Sequence, residues 1–128
     1  FQLALAELGV EQNVITFTES EFSRTMNASA TNGSDHAWGG HHFVMGGAVK
    51  GGDLYGTFPV LGAKNATNNN FDGSPNQLGN GVLLPETSVD QLGATLGAWL
   101  GLSSSQLADI FPNLANFEAG RRNLGFMR

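Results

Sequence analysis

The sequence predicts an α/β fold, and three observations carry that prediction. Residues 1–8 read as the end of a helix, with Leu3, Leu5 and Leu8 apolar and Gly9 as its stop. Residues 13–18 (NVITFT) are a short apolar, β-branched run, expected as a strand buried on both faces. That run ends in a polar cluster, Glu19-Ser20-Glu21-Phe22-Ser23-Arg24-Thr25. Helix, buried strand and polar strand end follow one another as in α/β units, where sites gather at the carboxyl ends of strands.

The chain has 128 residues, which suits one domain or a piece of one. With no cysteine, it offers no disulfide, thiolate metal site or cysteine nucleophile. Lys and Arg number 6 against 11 Asp and Glu, a net charge of -5 with no basic stripe, so nucleic acid is not an expected partner. No apolar run approaches the length of a membrane span, and no basic segment leads into an apolar one. The first residue is Phe, so a mature or cut chain is expected. Only 13% of residues are charged, less than an isolated domain normally carries. Part of the surface is therefore expected to be covered, by another subunit or by the remainder of the chain's own domain.

Further along, residues 26–40 lack periodicity and are rich in Asn, Ser and Gly, the composition of a loop. Residues 42–49 can carry a short strand broken by Gly46-Gly47, with Leu54-Tyr55-Gly56 returning as a hairpin partner. Gly46-Gly47 and Gly51-Gly52 lack the Lys-Ser/Thr of a phosphate loop and read as turns. Residues 60–80 form a second long loop, containing Asn68-Asn69-Asn70 and the breakers Gly73, Pro75 and Gly79. Val82-Leu83-Leu84 reads as a short strand. The clearest helix spans 89–100, with Ser88 as N-cap, Gln91 at the capping-box position and Gly101 as stop. Its expected apolar stripe is Val89, Leu92, Leu96 and Trp99. A second helix repeats the pattern with Ser103, Gln106 and a face of Leu107, Ile110 and Phe111, ended by Pro112. The tail, 113–128, is irregular but apolar at Leu114, Phe117, Leu124, Phe126 and Met127. There is no internal repeat and no domain boundary.

All three histidines fall in one stretch, Asp35-His36-Ala37-Trp38-Gly39-Gly40-His41-His42, with Glu19 and Glu21 at the preceding strand end. Imidazole nitrogen and carboxylate oxygen are ligands for divalent cations such as zinc, manganese or magnesium. In extended chain, adjacent Asp and His point to opposite sides and could serve two neighbouring metals. Gly39-Gly40 would let His41 or His42 fold back to the same place. The competing reading is loop histidines bonded to backbone and water. Arg24 could clamp a phosphate or carboxylate, or pair with Glu19, Glu21 or Asp35. Ser20, Ser23 and Thr25 are nucleophiles by type only, and Trp38 is expected to anchor its loop. The sequons at Asn27, Asn32 and Asn65 are about as frequent as chance allows for this Asn, Ser and Thr content, so they carry no glycosylation signal.

Four stretches, FTESEFSRT, SDHAWGGHHFVMGGAVKGG, GVLLPETSVDQLGATLGAWLGL and IFPNLANF, resemble in this order the C-terminal part of a bacterial family. It is the exported domain of unknown function "fifteen-oh-one", related to the alkaline phosphatase and sulfatase superfamily. The resemblance runs from about Val14 to Met127 and implies that residues 1–128 are the C-terminal portion of an alkaline-phosphatase-like domain. It implies part of a three-layer α/β sandwich with a mainly parallel sheet. It also implies metal-dependent hydrolysis of phosphate or sulfate esters, with zinc, manganese, magnesium or calcium. Carried over, Asp35 and His36 match the family's Asp-His pair, and His41, or alternatively His42, matches the later ligand. Glu21 and Arg24 match its Glu-Phe-Gly-Arg motif, with Ser23 in place of Gly, and Ala37 stands where Gly usually follows Asp-His. The resemblance also implies that the superfamily's nucleophilic Ser or Thr and its other metal ligands belong to an N-terminal part, expected to be absent from this chain. Two functions follow as expectations: part of an exported, periplasmic or extracellular ester hydrolase, or a non-catalytic exported scaffold for binding or assembly.

Overall fold

The computed structural model describes residues 1–68, 70–71 and 73–128. Asn69 and Asp72, both inside the expected 60–80 loop, lie outside the described residues. In chain order the elements are α1 (Gln2–Glu7), β1 (Ile15–Phe17), β2 (Ser23–Ala28), β3 (Ser34–Ala37), β4 (Val44–Gly46), β5 (Gln77–Leu78) and β6 (Val82–Leu83). They continue with α2 (Val89–Trp99), α3 (Ser104–Ile110) and two 3₁₀ turns, Pro112–Asn116 and Ala119–Arg121.

The expected parallel sheet and three-layer sandwich are not what the chain forms. The described strands make three separate antiparallel pairs, β1–β4, β2–β3 and β5–β6. The reason is connectivity. Parallel neighbours need a crossover of a dozen or more residues, usually a helix. Here the six described strands come between α1 and α2, with no helix among the described residues there, so they close on one another as hairpins and short ladders. The helical pattern is segregated to the two ends of the chain instead of alternating with strands.

Contacts divide the chain into two units. The first comprises Phe1–Phe17, Val44–Gly56 and Thr87–Arg128. In it α1 ends as expected, with Gly9 at φ +67. The strand expected at 13–18 forms as β1, but it is not buried on both faces. It pairs on one edge with β4, Ile15 opposite Gly46, and Phe17 is exposed. Gly47 donates its N–H to Glu11 O at 2.8 Å, and a Cβ there would lie 2.6 Å from that oxygen, so only glycine allows the approach. Because β4 takes β1, the expected hairpin with Leu54-Tyr55-Gly56 does not form. Instead Tyr55 packs edge-on against Phe126 and donates its hydroxyl to Lys50 O, while Val49 bridges to Met127.

Both helices of this unit start as their sequences predict. Ser88 with Gln91, and Ser103 with Gln106, form complete capping boxes. The packing of α2 differs from the expected stripe. Val89 is exposed, while Leu92, Leu96 and Trp99 are half-buried. The buried positions are Gln91, Ala94, Thr95 and Gly97. Two contacts explain the rotation. A Cβ on Gly93 would fall 2.6 Å from the Phe111 ring, and one on Gly97 2.8 Å from Leu107, so α2 lies close against the Leu107 and Phe111 side chains. The polar groups of the same side then hold the C-terminal tail: Gln91 Nε2 donates to Arg121 O, and Thr95 Oγ1 accepts from Leu124 N at 2.8 Å. On α3, Leu107 and Phe111 are half-buried but Ile110 is exposed.

The second unit comprises Thr18–Phe43 and Thr57–Glu86. The segment 26–40, expected as a loop, instead carries the end of β2 and all of β3. Backbone bonds from Met26 N to Gly81 O at 3.2 Å and Asn27 N to Asn80 O at 3.0 Å hold β2 to the turn before β6. The described part of the long 60–80 loop is pinned by side-chain amides. Asn76 Oδ1 accepts from Val60 N at 2.8 Å and Gln77 Oε1 from Gly62 N at 2.6 Å. Thus a segment poor in apolar side chains gains order through local polar bonds.

Thr95 is 1% exposed, and its hydroxyl both donates to Gln91 O and accepts from Leu124 N. Thr95→Val keeps the shape but leaves the Leu124 N–H without its acceptor. It should cost about 1–3 kcal/mol. Urea unfolding should show a lower midpoint at unchanged slope, with Thr95→Ser close to wild type.

Candidate functional site

The chemistry-bearing residues of the second unit sit on the β2–β3 hairpin and the loop after it. Arg24 is directly opposite His36, and Ser23 opposite Ala37. Directly opposed residues of an antiparallel pair share a face. Phe22, two residues before Arg24, joins that face. Its ring stacks on His36 at 3.8 Å between centroids with 17° between planes, and the Arg24 guanidinium carbon lies 5.1 Å from its centroid. Arg24 Nη1 also donates to Ser34 O at 2.9 Å, which tethers the guanidinium to its own hairpin. One aromatic ring thus orients a cation and an imidazole side by side.

The register that creates this pair depends on a residue behind it. Pairing shifts between Arg24 and Ala28, the mark of a bulge. Thr25 lies in that interval and is 8% exposed. Its hydroxyl donates to Asn27 O at 3.0 Å and accepts from Asp35 N at 3.0 Å. It thereby joins the two strands where the ladder is interrupted. The burial pattern of β2 alternates, but the buried positions are Thr25 and Asn27 and the exposed ones Arg24, Met26 and Ala28.

The sequence grouped Asp35, His36, His41, His42 and Glu21 as metal ligands. The structure sends them to different places. Asp35 precedes His36 in an extended strand, so its side chain leaves from the opposite face. His41 stacks on Phe58, centroids 5.0 Å apart. His42 Nδ1 lies 3.4 Å from Thr18 Oγ1, which itself accepts from Phe43 N. Glu21 is exposed in the bend before β2. Among the described residues, no three His, Asp or Glu side chains stand close enough to hold a metal ion. A bound divalent cation needs at least three protein donors in most zinc sites and more oxygen donors for calcium. Among the described residues, this chain alone therefore does not assemble a three-donor set.

Gly39, between His36 and His41, makes a backbone contact of its own. It is buried, and its N–H donates to Leu83 O at 2.9 Å. A Cβ there would lie 2.8 Å from that oxygen. Gly39 therefore docks the chain against β6. Trp38, expected to anchor this loop, is 67% exposed; the buried Gly39 backbone does the anchoring. Sequence reasoning missed Phe22 as an orienting ring and Thr25 as the strap. Phe22 was hidden in a polar run, and a buried Thr has no apolar period to reveal it.

Removing the Thr25 hydroxyl should loosen the site without unfolding the second unit. Thr25→Val leaves the Asp35 N–H without an acceptor, and hydrogen exchange at Asp35 should speed up at least tenfold, while that at Val82 stays as in wild type.

No curated protein and no solved structure matches the chain. No described helix is long and apolar enough to cross a membrane. The family model described as Protein of unknown function (DUF1501) matches residues 1–111. That match takes in α1, the six described strands, the Arg24–His36 hairpin and both capped helices, and the chain belongs to this family.

Proposed function

We propose that this chain recognises the anionic group of a phosphate or sulfate ester, as the anion-holding part of an ester hydrolase. The observation that carries the reading is the cross-strand pairing of Arg24 with His36 beside the Phe22 ring. A guanidinium presents several N–H donors in a planar fork that suits tetrahedral oxyanions. One Arg24 nitrogen is engaged by Ser34 O, which leaves further donors for a ligand. An imidazole on the same face adds a donor, and a second charge when protonated. In an ester such an anchor would hold the group on which charge develops. Every role in this reading is taken by Arg24, His36 and Phe22.

A second reading, a scaffold for binding or assembly, has its own observation. Leu3, Leu8, Trp38, Phe43 and Leu100 are between 67% and 82% exposed, in a chain whose charge is sparse. Where open apolar side chains gather in a patch, they mark a surface that another chain covers.

Two measurements separate these readings. Inorganic phosphate and sulfate titrated into the labelled chain should shift the His36 ring and Arg24 side-chain resonances saturably. Arg24→Gln and His36→Gln should each weaken that binding about tenfold, the size of one charge-assisted hydrogen bond. Absence of shifts at both residues, or unchanged binding by both variants, would refute anion recognition. For the scaffold, the sedimentation coefficient should fall on dilution as multimers dissociate. A monomer that is independent of concentration removes that reading.

A further inference from the structure

The first unit carries a groove that the hairpin site does not use. It has a volume of about 340 Å³ and is lined in part by Ala94 of α2, Leu107 and Ala108 of α3, Leu114, Ala115 and Arg122. Its size is at the lower end for a small-molecule site, and its lining is mostly apolar with few polar groups, as such sites usually are. Arg122 is the only charged side chain among the described lining residues. Its Nε donates to Phe117 O at 2.9 Å, which fixes the plane of the guanidinium and leaves its terminal nitrogens for another partner. The walls are held by the contacts that shape the helical unit. Gly97 lets Leu107 approach α2, and Leu114 and Ala94 are buried beneath the groove's surface.

We propose that this groove binds a small amphiphilic carboxylate, with one short apolar tail or ring in the groove and its carboxylate on Arg122. Two features select that class. Apart from Arg122, only Ser104 and Asn123 bring polar side chains to the lining, few for a sugar or a nucleotide base, which need several hydrogen-bonding partners. The single tethered guanidinium matches one carboxylate in bidentate geometry. In a chain of net charge -5, an anion would be held by this local contact and not by the overall field. A cationic or neutral amphiphile would meet the same walls without the charge-assisted bond.

The test uses the full chain with octanoate as probe, and octanol and octylamine as controls. Octanoate should shift the backbone amides of Ala94, Leu107, Ala108 and Ala115 saturably, and bind about tenfold tighter than octylamine. Arg122→Gln should abolish that preference while octanol binding stays constant. Ala108→Trp, at an exposed position of α3, should block all three ligands with helix content unchanged. Equal binding of octanoate and octylamine overturns the proposal. So does octanoate binding that Arg122→Gln leaves intact, or shifts that never saturate or lie outside these positions.

Discussion

The Thr25 hydroxyl is the hydrogen-bonding group on which the candidate site depends. It bonds to both strands of the β2–β3 hairpin where their pairing slips. A bulge alone would leave the register of β2 against β3 loosely specified, and a slip of one residue turns every side chain to the other face. With the hydroxyl in place, Arg24 stays opposite His36 and Phe22 can orient both.

A comparable logic runs through the helical unit. The buried side of α2 is small and polar, and it holds the tail by hydrogen bonds from Gln91 and to Thr95. Glycines at 93 and 97 permit the close approach of Phe111 and Leu107. The larger apolar residues of α2 are left on less buried positions. Both units thus replace part of an apolar core with satisfied polar bonds. Such bonds add little individually but are costly to break when buried.

This economy of core has a functional side. Side chains such as Phe43, Trp38 and Leu100 are left open, while the charged residues that usually cover a surface are few. The dispersal of the histidines matters as much. Each imidazole has taken a neighbour of its own: Phe22 for His36, Phe58 for His41, Thr18 for His42. Three residues clustered in sequence therefore act as three separate contacts.

The sequence by itself determined the local features. Both capping boxes, the Gly9 helix stop and the positions of β1, β4 and β6 are legible, because caps, turns and short β-branched runs act over a few residues. Family membership was equally legible, since ordered motifs spread over the chain carry it. Tertiary structure alone decided which strand pairs with which, which side of α2 is buried and where the histidines go. Strand pairing is a contact between residues distant in the chain, such as Ile15 with Gly46, and no local period encodes it. The parallel sheet expected from resemblance failed on that point. The buried side of α2 was set by the aromatic and leucine side chains that its glycines admit. Between His36 and His41, Gly39 docks on Leu83, a backbone contact that side-chain spacing cannot foretell.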